Sequence, residues 1–185
     1  MTEQADLFTG ARRVFWGYFF LLLDFNLNFN SAFTIPLLPN FVGWIFLWRG
    51  VDALSSARPS LELLKPFCTA LGMCALTQFV PSLDGLIPGW LSLFISILTL
   101  YTHFQLLTDL AALAEEMLDD GELAKRLRTS RTLFLLSQTA MYCYDLVLQA
   151  MGLVVLLLAV TFCVSVLLLF QLWGFSRDLE TQQSP

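Results

Sequence analysis

Charge is the scarcest property of this sequence: Asp, Glu, Lys and Arg together make up 14% of 185 residues, and there is one histidine. A single imidazole excludes most hydrolytic sites, and no HExxH, GxSxG or Walker sequence occurs. Nor is there a carboxylate cluster with the spacing a lipid-phosphate transferase needs, so the chain reads as non-enzymatic. The four cysteines, Cys68, Cys74, Cys143 and Cys163, each fall in an apolar stretch without a CxxC pair or an adjacent histidine. That excludes a disulfide framework and a zinc site, predicts no bound metal or cofactor, and leaves the thiols as small buried hydrophobes. Ten basic against fifteen acidic residues give a net charge of −5. Nucleic acid is thereby set aside, because its phosphates require clustered Lys and Arg.

What the chain has in place of charge is apolar surface. Hydrophobic residues make up 57% of it and the mean hydropathy is +0.69, more than the interior of a soluble domain of this size can hide. The composition predicts an all-α fold, a polytopic transmembrane helix bundle occupying 1–185 as one domain. Apolar runs lie at 14–30, 37–54, 66–83, 87–110, 131–149 and 151–174, parted by charged, Pro-bearing or Gly-bearing breaks. At about 20 residues per crossing these make six spans. The last two runs form one apolar stretch of 44 residues, divided at Gln149 to Gly152. The opening MTEQADLFTGARR with VFWGYFFLLL has the outline of a signal sequence, but Asp24 and three asparagines follow without a small-x-small cleavage site. It is read as retained.

The basic residues orient the bundle. With the N-terminus inside, Arg12, Arg13, Arg49, Arg58, Lys65, Lys125, Arg126, Arg128, Arg131 and Arg177 all fall on the cytoplasmic side, and the outer turns near 31–36, 83–87 and 149–151 carry none. A rival topology makes 14–48 one crossing plus a re-entrant piece, since 35 residues barely hold two helices of about 17. It places Arg12 and Arg13 outside, so six spans with cytoplasmic termini are preferred, the first hairpin being short, tilted or incompletely crossing. Trp16, Tyr18, Trp44, Trp48, Trp90 and Trp173 lie towards span ends, as interface anchors do. Cys68, Gly72 and Ala75 give the third span a small-residue face for close packing.

Polar groups at membrane depth are the candidate functional residues. In span four, Ser92, Ser96, Thr99 and His103 share one helical face, and in span five Gln138, Tyr142, Asp145 and Gln149 repeat that spacing. As a solute pathway the two stripes would face one another, with His103 and Asp145 able to change protonation. The plainer reading is interhelical glue, since Ser, Thr, Gln and Tyr hydrogen-bond between transmembrane helices with modest energies. The segment DFNLNFN alternates Asp24, Asn26, Asn28 and Asn30 with apolar residues. A helix would scatter these groups and an extended segment would put them on one side, giving either an acceptor-rich outer vestibule for a cationic or hydrogen-bond-donating solute or a turn capping the first hairpin. An EF-hand loop is rejected, because Phe29 and Ile35 occupy the positions of its Gly and Glu.

Residues 109–131, DLAALAEEMLDDGELAKRLRTSR, form the one sizeable polar segment, acids first and bases last about Gly121. They predict a cytoplasmic helical hairpin that either lies solvated beside anionic headgroups or docks a partner through Lys125, Arg126 and Arg128. Asp24, Asp84 and Asp145, at intervals of 60 and 61 residues, hint at an internal repeat without matching residues around them.

Leu23, Asp24, Phe25, Leu38, Pro39, Phe41 and Gly43 carry a resemblance over about 30 residues to the opening of a group of small multi-pass bacterial membrane proteins with no assigned activity. There an Asp-bearing first helix leads to an I-L-P-x-F-x-G-type second helix. The resemblance implies a multi-pass protein of the bacterial cytoplasmic membrane and transfers no site. In size and span number the chain is also similar to the substrate-binding subunits of energy-coupling-factor vitamin transporters, but Ala11 to Phe15 lack the A-x-x-x-A motif with which those dock their partner. Two expectations result. One is a membrane protein that binds or moves a small solute through Asp24, Asn26, Asn28, Asn30, His103, Gln138, Tyr142 and Asp145. The other is a non-transport interaction or assembly protein whose partner, in the membrane or the cytoplasm, meets the 109–131 hairpin.

Overall fold

An α-helix satisfies its backbone hydrogen bonds locally, and among the described residues six α-helices carry most of the chain. The computed structural model describes residues 2–22, 26–29, 33–36, 40–79, 88–118, 121–143 and 151–181. In order they form α1 (Thr2–Leu22), β1 (Asn26–Phe29), β2 (Phe33–Pro36), α2 (Asn40–Leu54), a 3-10 segment (Pro59–Leu64), α3 (Lys65–Phe79), α4 (Gly89–Leu118), α5 (Gly121–Cys143) and α6 (Met151–Thr181). The chain divides into two compact units, residues 1–95 and 96–185, the boundary falling inside α4.

Several boundaries differ from those expected. The first helix starts at Thr2 and stops at Leu22 rather than covering 14–30, because the alternating Asn and apolar residues that follow have the period of a strand. β1 pairs antiparallel with β2, Asn26 opposite Pro36 and Asn28 opposite Thr34, and this hairpin is the departure from an all-helical chain. α2 starts at Asn40, and Pro36, which ends β2, restricts the residue before it to extended backbone. α2 and α3 have 15 residues each, about 22 Å of helix against a hydrocarbon core of about 30 Å. Two helices, Trp90–Leu118 and Val155–Thr181, are long and apolar enough to cross a membrane. Among the described residues no other helix meets that standard; α5 opens on Glu122, Lys125, Arg126, Arg128 and Arg131, polar sequence into which the fifth helix extends.

In the first unit α1 and α2 pack at the closest range backbones allow. Leu7, Ala11, Val14 and Tyr18 of α1 are buried at helical spacing, as are Trp44, Leu47, Val51 and Leu54 of α2. Between them Gly17 faces Gly43 and Gly10 faces Gly50: a methyl at Gly43 would lie 2.9 Å from the Gly17 carbonyl oxygen, and one at Gly50 would lie 3.0 Å from that of Gly10. This approach turns Tyr18 and Trp44 into the core, so those two rings are not the interface anchors expected of them, whereas Trp48, Trp90 and Trp173 remain exposed. On α3, Cys68 is buried and Gly72 abuts Trp44. Asp52 Oδ1 lies 2.7 Å from Lys65 Nζ, and this hydrogen bond holds the lysine pKa above its ordinary value.

In the second unit α5 buries Leu123, Ala124, Leu127, Ser130, Phe134 and Ser137, and α6 buries Val164, Leu168, Leu172, Phe175 and Leu179. The opposite faces of the long helices stay uncovered: Ile97, Tyr101 and Phe104 on α4, and Phe162, Leu167 and Phe170 on α6, are large, apolar and exposed. Cys143 and Cys163 are exposed as well, which corrects the reading of all four thiols as buried.

Candidate functional site

The polar stripes of the fourth and fifth helices touch where Tyr142 meets Ser96. α4 and α5 run antiparallel, joined at successive levels by side chains: Tyr142 hydrogen-bonds Ser96, the His103 ring stands edge-on to Phe134 at 5.4 Å, and Arg131 Nη1 donates to Thr108 Oγ1 at 2.7 Å. An ion pair between Arg128 and Glu115 closes the series. From Ser96 to Glu115 the seam runs 19 residues along α4, about 28 Å.

Several polar side chains along the seam are satisfied within their own helix. Thr102 and Ser137 are buried, and their hydroxyls donate back to the carbonyls of Leu98 and Phe134. Thr108 does the same to Phe104 while accepting from Arg131. The Arg131 guanidinium also lies over the Phe104 ring, 4.6 Å from its centroid, a cation–π contact that offsets part of its desolvation. Its Nε is buried without a hydrogen-bond partner. Asp109 is buried and accepts from Gln105 Nε2 at 3.0 Å, one turn away. His103 is buried on the same helix.

Of the residues singled out in the sequence, His103 and Tyr142 take part in this seam. Tyr142 touches the opposing stripe directly at Ser96, His103 meets an aromatic ring there, and Gln138 is half-buried between their levels on α5. Asn26 and Asn28 lie on β1 in the first unit. Asp24, Asn30 and Asp145, with Asp84 and Gln149, lie outside the described residues. Lys125, Arg126 and Arg128 are exposed on the opening turns of α5; Arg128 is engaged by Glu115. Among the described residues no three His, Cys, Asp or Glu side chains gather where a metal ion would be held.

Sequence reasoning passed over Gln105, Asp109 and Arg131. The signal was present, since Gln105 and Asp109 are separated by four residues and Arg131 opens an otherwise apolar run. Asp109 and Arg131 were taken for the two ends of the 109–131 hairpin, and Gln105 was not singled out. In the first unit a cavity of about 410 Å³ between α2 and α3, lined by Phe41, Trp44, Trp48, Gly72, Met73 and Leu76 among others, is almost wholly apolar. No protein-family model, curated protein or solved structure matches the chain, so the seam is interpreted from its own geometry.

Proposed function

We propose that this is a six-span integral membrane protein of the bacterial cytoplasmic membrane, with both termini cytoplasmic, whose α4–α5 seam binds or passes a small cationic or hydrogen-bond-donating solute without covalent chemistry. The observation that carries this reading is the Ser96–Tyr142 hydrogen bond with His103 buried about two turns further along, which brings the two polar stripes together on facing helices. Ionisable and polar groups at that depth are costly and are retained where they serve a function. The exposed apolar faces of α4 and α6 are suited to lipid rather than water, and all ten basic residues fall on one side of the six-span topology. Asp24, Asn26, Asn28 and Asn30 would form the acceptor-rich outer entrance, and Asp145 with His103 would supply groups able to exchange a proton.

The test is uptake into proteoliposomes of small cationic solutes by the wild type, His103→Ala and Asp145→Asn, with folding checked by size-exclusion chromatography. Loss of uptake by both folded variants is expected; normal uptake by both removes the pathway. The competing reading, docking of a cytoplasmic partner, draws on the exposure of Lys125 and Arg126 at the start of α5. Under it, charge reversal at Lys125, Arg126 and Arg128 abolishes the phenotype and Asp145→Asn leaves it intact.

A further inference from the structure

We draw no further inference here: the strongest candidate, the almost wholly apolar cavity of about 410 Å³ between α2 and α3 in the first unit, lined by Trp44, Trp48, Cys68, Gly72 and Met73 among others, selects no occupant, since the Thr69 hydroxyl on its wall donates to the Lys65 carbonyl of its own helix and nothing in the structure shows what covers it.

Discussion

Replacing Gly43 and Gly50 together by alanine tests whether α1 and α2 are held by backbone contact. At Gly43 the new methyl would meet Leu21 Cγ at 2.7 Å and the Gly17 carbonyl oxygen at 2.9 Å; at Gly50 it would meet Val14 Cγ2 at 2.6 Å, with Val14 N and the Gly10 carbonyl oxygen at 3.0 Å. Side chains such as Leu21 can turn aside, but carbonyl oxygens move only with their helix. An ordinary contact needs about 3.5–4.0 Å, so the helices must part by at least about 0.5 Å, a gap that forfeits a quarter or more of each contact energy along the interface. Overpacking of this kind costs about 1–3 kcal/mol per site, and the better helix propensity of alanine returns about 1 kcal/mol. The double variant should therefore be about 2 kcal/mol less stable than the wild type, a factor of about 30 in the unfolding constant. Gly174→Ala is the control: nothing lies within 4 Å of its Cβ position, so only the propensity gain of about 1 kcal/mol applies. Reversible unfolding in mixed micelles, followed by tryptophan fluorescence and circular dichroism, measures both. A double variant as stable as Gly174→Ala would refute close backbone packing as the basis of the first unit.

Other consequences are open to the same assay or to labelling. Tyr142→Phe deletes the hydrogen bond to Ser96 and should cost about 0.6 kcal/mol, the usual worth of such a bond between membrane helices. Arg131→Ala, losing both Thr108 and the Phe104 ring, should cost about 2 kcal/mol. Arg128→Ala, whose partner Glu115 is half-exposed, should cost no more than about 1 kcal/mol; the reverse order would contradict the depths assigned to the two arginines. A cysteine at Phe33 in a cysteine-free background should react with an impermeant reagent added outside intact cells, and reaction only after permeabilisation would sink the six-span topology.

The polar seam was legible in part, because helical spacing is a one-dimensional property. Ser96, Thr99 and His103 on one helix, and Gln138 and Tyr142 on the next, share a face whatever the helices pack against. The opening hairpin was half legible: period-two alternation through Asn26 and Asn28 marks extended backbone, but pairing with β2 depends on a turn whose residues carry no distinctive signal. Tyr18 and Trp44 were misplaced as anchors because an aromatic ring near a span end looks the same whether it faces lipid or a neighbouring helix. The glycine pairs were missed although Gly10 and Gly17, like Gly43 and Gly50, are seven residues apart, a spacing that becomes informative only when two such helices are set antiparallel.

Sequence by itself determined that the chain is helical and too apolar for an ordinary soluble core, where its polar side chains recur, and where its basic residues gather. All of these follow from composition and periodicity, which a chain carries without folding. Tertiary structure alone decided which faces meet. It brought Gly17 to Gly43 and Ser96 to Tyr142, and put Arg131 over Phe104. The physical reason is that close packing between helices is set by shape at ångström range, among residues distant in sequence, and no local pattern records which partner will supply the fit.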